Sequence, residues 1–95
     1  MAQNDRRYTL SRLLTEASGA HRQYEIQSLN GVYDQQWAGW YARYLLQHDW
    51  NEYFVRNWEP DELAAALGEV DREYRANKPD RTWQDYYGEY FATHA

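Results

Sequence analysis

The chain has 95 residues, a formal net charge of −5, five Trp, ten Tyr and no Cys. This length fits one small domain, and the missing Cys excludes disulfides, thiol catalysis and Cys-based metal sites. The acidic balance disfavours binding to nucleic acid or to anionic membranes, and with no signal peptide or long apolar run in view we expect a soluble cytoplasmic protein.

The first half of the chain predicts a flexible end followed by two helices. Residues 1–8 are polar, and we expect them to be flexible, with a single helical domain over residues 9–95. From Thr9 onward apolar residues recur at three- and four-residue steps, which predicts a helix that ends at Asn30-Gly31. Asp34 is suited to cap a second helix, whose mainly aromatic stripe runs from Trp37 to His48.

The second half predicts a short helical turn over residues 50–58 and two further helices. Pro60 suits the first position of the third helix. Its outer side carries a run of charges that we expect to face solvent, including Asp71 and Arg75, one turn apart. Residues 77–79, Asn-Lys-Pro, end this helix.

The last predicted helix begins at Thr82, because Asp85 follows three residues later in the spacing of an N-terminal cap. No stretch alternates between apolar and polar residues with a period of two. The fold class is therefore predicted to be all-α, a small four-helix bundle with an extra short helical turn.

The aromatic residues carry the leading functional interpretation. Aliphatic residues are too few for an ordinary core, so aromatic side chains must form it, and a ligand pocket or a partner surface is the alternative use of the same stripe. Clustered surface aromatics indicate association. We expect a non-enzymatic interaction module that binds another protein or itself as a homodimer, through aromatic residues that have no obvious stripe partner: Trp50, Tyr53, Trp58 and Tyr87.

Two His–Glu pairs provide the alternative interpretation. His21 precedes Glu25 by four residues and His48 precedes Glu52 by four, so each pair shares a helix face. On facing helices the four side chains would offer two nitrogens and two carboxylates to Zn²⁺, Mn²⁺ or Fe²⁺, or bind a small ligand. Otherwise each His is a partly buried residue bonded to its own Glu or to a Tyr. No catalytic or nucleotide-binding motif is present, so we expect neither enzymatic activity nor a cofactor.

One segment also supports a resemblance. Residues 37–48 follow the pattern W-x-x-W-Y-A-x-Y-L-x-x-H, and Pro60-Asp61-Glu62-Leu63 and Trp83 with Tyr86-Tyr87 come later. In these features the chain resembles a group of short bacterial proteins with the same core. In that group Gly often follows the motif His, where this chain has Asp49. The resemblance implies a helical fold and a bacterial origin, and it supplies no catalytic residues.

Overall fold

The computed structural model describes residues 2–32 and 34–94, with side chains given for residues 6–32 and 34–93. In this part of the chain the expected all-α architecture is confirmed, with four α-helices, one short 3₁₀ helix and no strand. None of these helices is long and apolar enough to cross a membrane. The elements are α1 (Ala2–Ser28), α2 (Trp37–Gln47), the 3₁₀ turn (Trp50–Tyr53), α3 (Pro60–Asn77) and α4 (Trp83–His94).

Helix α1 begins at Ala2, well before Thr9, so the predicted helix start was wrong and residues 2–8 are helical. The cause is contact with the rest of the fold. The guanidinium of Arg6 lies 4.8 Å from the ring centroid of Phe54, and Arg7 lies 3.8 Å from Glu89 of α4. Packing of this kind supplies most of the stability of a helix in a protein, including one whose own pattern is weak. The flexibility of the N-terminal segment stays a prediction.

The helices form a ring in which each packs on its neighbours in the chain and α1 closes against α4. Helices α1 and α4 run antiparallel and come close together at Gly88, where an added Cβ would lie 3.0 Å from the carbonyl oxygen of Arg7. Beside this contact the Ser11 hydroxyl donates a 2.7 Å hydrogen bond to the Asp85 carboxylate. Glycine therefore sets the distance between these two helices.

Two of the predicted helix starts agree with the structure. Pro60 is the first residue of α3, and the Glu59 N–H ahead of it donates to Glu62 Oε1 at 3.1 Å. The Asp85 N–H donates to Thr82 Oγ1 at 3.2 Å, which caps α4 as its spacing predicts.

The start of α2 differs from the prediction, because this helix begins at Trp37 and Asp34 is not its N-cap. One Asp34 oxygen instead accepts the Gln36 N–H at 2.9 Å, and the other binds His21. At the far end of α2, Asp49 takes the left-handed conformation with φ 69°. A Gly would suit that conformation, and Asp is among the residues that tolerate it.

An aromatic cluster closes the end of the bundle where α2 stops. The Trp50 ring lies 5.2 Å from both Phe54 and Phe91, and Trp58 lies 5.7 Å from Phe91. The Asn51 side chain holds the connecting loop in place by accepting the Trp58 N–H at 2.8 Å and donating to the Trp58 carbonyl at 3.3 Å. We call this region the closed end.

This packing corrects the prediction of an aromatic interface, because most of the residues assigned to it are buried. Trp50 is fully buried, and Trp58 and Tyr87 are 8% and 3% exposed. Of the four residues assigned to that surface, only Tyr53 is exposed, at 37%. Trp50 and Trp58 find a partner in Phe91 of α4, because the loop before α3 folds back over the bundle. Tyr87 is covered by Trp83 of its own helix and by Tyr74 of α3.

Candidate functional site

A cleft opens at the other end of the bundle. The helices alternate in direction, so the C-terminal halves of α1 and α3 meet the first turns of α2 and α4 there. The cleft has a volume of about 480 Å³. Its lining consists of Ser18, His21 and Glu25 from α1, Trp37 and Tyr41 from α2, Asp71, Tyr74 and Arg75 from α3, and Trp83 and Tyr87 from α4.

The aromatic side chains of the cleft meet one another at steep angles. Trp37 and Tyr41 are 5.7 Å apart at 88°, and Tyr41 and Trp83 are 6.0 Å apart at 67°. Trp83 then meets Tyr87 at 4.9 Å and 61°, and Tyr87 meets Tyr74 at 6.3 Å and 81°. Edge-to-face pairs of this kind are favourable. They form a continuous set of rings across three helices of the cleft.

His21 is held at one side of the cleft by Asp34. Its Nε2 donates a 2.9 Å hydrogen bond to Asp34 Oδ2, and the residue is only 7% exposed. Burial raises the pKa of the Asp34 carboxyl, but the bonds from His21 and the Gln36 N–H outweigh it and leave this pKa below its usual range. Glu25 lies on the other side of the ring, 4.0 Å from His21 Nδ1, and accepts the Asp34 N–H at 3.2 Å. This network joins α1 to the segment that leads into α2.

Asp71 forms the second polar group of the cleft. One of its oxygens accepts the Tyr87 hydroxyl at 2.7 Å and the other accepts Arg75 Nε at 2.9 Å. Burial first, and then the hydrogen bond to the Asp71 carboxylate, raise the pKa of Tyr87 far above its ordinary value. The Tyr87 hydroxyl is the donor in this bond, and its raised pKa means that it keeps its proton further into alkaline pH than an exposed tyrosine does.

Tyr41 lies between these two groups and shares a hydrogen bond with Ser18. Burial raises the pKa of Tyr41, while Ser18 lowers it and the charge of Glu25 raises it further. Ser18 is thus paired with a tyrosine rather than with His21. The arrangement suits binding by ring contact and hydrogen bonding, and it does not present the paired nucleophile and base of covalent catalysis.

The predicted four-residue metal set is not assembled. His21 contacts Trp40, whereas His48 stacks on Tyr44 at 4.0 Å and its Nδ1 donates to the Tyr44 carbonyl at 2.8 Å. His48 lies eight positions after Trp40, just past the end of α2, which corresponds to a rise of about 12 Å. Beyond His48 the left-handed residue Asp49 turns the chain, so Glu52 is exposed in the 3₁₀ turn and no longer shares a helix face with it.

No group of three or more His, Asp or Glu side chains that could hold a metal ion is found within the described residues. His21 and Glu25 do belong to the cleft, so half of the predicted set lies in the candidate site in a different role.

Sequence reasoning missed the partners that complete the site. The sequence predicts Asp34 as a helix cap and Asp71 as one of the solvent-facing charges of α3. The Asp71 side chain is in fact only 19% exposed. A signal for Asp71 was present, since it lies four residues after the buried Leu67 and three before Tyr74, which also lines the cleft. For Asp34 the local sequence carries no comparable signal, because its partner is on another helix.

The chain was also compared with known proteins. No family model matches it, and no curated protein or solved structure gives a significant match. The cleft and its contacts therefore carry the functional interpretation.

Proposed function

We propose that this protein binds a small organic ligand in the cleft. The observation that carries this proposal is a concave space of about 480 Å³ with several aromatic residues and a few converging polar groups. Ligand sites in proteins have volumes of about 300–1,000 Å³ and the same mixture of apolar walls and few polar contacts. The proposal keeps the small-ligand form of the paired His and Glu hypothesis and leaves out its metal.

The side chains around the cleft support this proposal because they are already held in position. Asp34 orients His21, and Asp71 orients both Tyr87 and Arg75. A site whose polar groups are fixed before binding loses less conformational entropy when the ligand arrives. At the closed end the same chain fills the interior with aromatic rings, whereas about 480 Å³ is left open at the cleft.

The test is to fill the cleft and measure binding of a small-fragment set by ligand-observed NMR. Ser18→Phe adds a ring at a residue that lines the cleft. Gly19→Phe adds the same ring one residue later on α1, where an added Cβ meets no atom within 4 Å. We expect fragments to bind the wild-type protein and Gly19→Phe and to lose binding in Ser18→Phe. Equal binding to both variants, or no fragment bound by the wild type, would contradict the proposal.

Self-association stays a second proposal, favoured by the exposure of Tyr53 at the end of the 3₁₀ turn and of Val55 on the loop that follows it. Exposed apolar side chains that lie near each other are typical of contact surfaces. Light scattering at tens of micromolar should then give twice the mass of one chain, and Tyr53→Ser with Val55→Ser should return the mass of a monomer. A monomeric wild-type protein would refute this second proposal without affecting the proposal that the cleft binds a ligand.

A further inference from the structure

Resting on the proposed ligand site, we propose that the cleft is selective for organic cations whose head is a methylated or quaternary ammonium group. Three features of the cleft point to this class of ligand. They are the angles between its aromatic rings, the sign of the charge around it, and the way in which its hydrogen-bonding groups are already used.

The rings that line the cleft lie in several planes rather than in a stack, and Trp37, Trp83 and Tyr74 are the partly exposed ones. Trp37, Tyr41 and Trp83 follow one another at 88° and 67°, so neighbouring rings are steeply inclined. Tyr87 and Tyr74 continue the set on the other side of Trp83. A flat ligand stacks best between parallel rings, whereas a compact round cation is best met by rings in several planes. Partly exposed rings in different planes around one space can attract a quaternary ammonium group, because each ring attracts a cation over its face.

The charges beside these rings favour a cation over an anion. Glu25 and Asp71 line the cleft, and Asp34 lies directly behind His21. Two arginines face these three carboxylates. Arg75 has a 70% exposed side chain with its Nε bonded to Asp71, and Arg43 acts on Asp34 through its charge. An anionic ligand would have to approach the carboxylates across a partly desolvated space, where like charges repel most strongly.

The internal hydrogen bonds favour a methylated head over a primary amine. Each Asp71 oxygen already accepts one bond, from Tyr87 or Arg75, and each Asp34 oxygen accepts one from His21 or Gln36. Glu25 Oε2 accepts the Asp34 N–H, so few acceptor sites of the cleft carboxylates are left for further donors. A primary ammonium carries three N–H donors that need acceptors when they leave water. A quaternary ammonium has none, so it can enter this cleft without leaving a donor unsatisfied.

Choline, its neutral isostere 3,3-dimethylbutan-1-ol, and benzoate are suitable probes of this proposal. Binding to the full chain is followed by the chemical shifts of the Trp indole N–H groups. We expect choline to bind in the cleft roughly tenfold more tightly than the neutral isostere, and benzoate to bind more weakly still. Equal binding of the isostere or of benzoate in the cleft overturns the cation selectivity while the proposed ligand site survives. If choline does not shift the indole N–H signals of the cleft, the cation selectivity is also overturned. Binding of the fragment set then tests the proposed ligand site independently.

Two variants separate the cleft from a general surface effect. Glu25→Gln removes a cleft charge and keeps an oxygen that can accept the Asp34 N–H. Glu52→Gln removes an exposed charge from the 3₁₀ turn and serves as the matched control. We expect choline to bind about three- to tenfold more weakly to Glu25→Gln and unchanged to Glu52→Gln. Equal losses in the two variants, or no loss in either, would contradict a role for the cleft carboxylates.

Discussion

At the scale of single residues, identical residue types have opposite roles according to their surroundings. Gly88 lies against the backbone of α1, with Arg7 O and Ser11 N at 3.0 and 3.1 Å from the position of an added Cβ. Gly19 lies on the exposed side of α1, and an added Cβ there meets nothing within 4 Å. The first glycine is needed for close helix packing, and the second only weakens its helix.

This contrast predicts opposite effects of the same substitution. Gly88→Ala should lower the free energy of unfolding by about 1–3 kcal/mol, because backbone atoms cannot give way as a flexible side chain would. Gly19→Ala should raise it by about 0.5–1 kcal/mol through helix propensity alone. Urea unfolding followed by circular dichroism measures both. A Gly88→Ala protein as stable as the wild type would show that α1 and α4 are not in close contact.

Tyr87 gives a residue-scale prediction for alkaline pH. Its pKa is raised in the folded state, so the folded protein keeps a proton that the unfolded chain loses near pH 10. The unfolded state then binds fewer protons, and the contribution of Tyr87 to stability, complete below about pH 10, declines as the pH rises further. Tyr87→Phe should make the loss of stability above pH 10 less steep than in the wild type. The measurement is thermal unfolding between pH 8 and pH 11, and identical slopes in the two proteins would refute the assignment.

At the scale of elements, helix starts with a local chemical signal were predictable and those set by tertiary contacts were not. Pro60 and Thr82 mark α3 and α4 correctly because their effects are confined to the first turn. The start of α1 depends on Arg6 and Arg7 meeting side chains from distant parts of the chain. Asp34 was misassigned for the same reason, since its strongest partner is His21 of another helix.

The end of α3 gives the element-scale prediction. Lys78 follows this helix in the left-handed conformation with φ 45°, and its N–H donates to the Tyr74 carbonyl at 2.9 Å. A Cβ is disfavoured in that conformation and glycine has none. Lys78→Gly should therefore raise the free energy of unfolding by about 0.5–1 kcal/mol. Lys78→Ala keeps the Cβ and should give no such gain in the same urea titration, so equal stability of the two variants would contradict the explanation.

At the scale of the whole molecule, two groups of aromatic residues lie at opposite ends of one bundle. Trp50, Trp58 and Phe91 fill the closed end, whereas Trp37 and Trp83 line the cleft. The core corrects the expectation of an aromatic one, because ten of its fifteen buried apolar residues among the described residues are Leu, Val or Ala. The all-α class does follow from the stripe patterns of the sequence. The placement of these two aromatic groups does not follow from the sequence. Helical periodicity tells which face of a helix is apolar, but it does not tell whether the neighbouring helix fills the space next to that face. For the same reason the expected interface residues Trp50 and Trp58 are interior, and Tyr87 belongs to the cleft.

The central claim is that the cleft binds a small ligand, and the Trp indole N–H signals test it most directly. A binding fragment or choline is titrated into the wild-type protein while these signals are followed by two-dimensional NMR. The signals of Trp37 and Trp83 are predicted to shift in a saturable manner, and those of Trp50 and Trp58 to stay in place. Shifts confined to Trp50 and Trp58, or spread evenly over all these indoles, would contradict the claim.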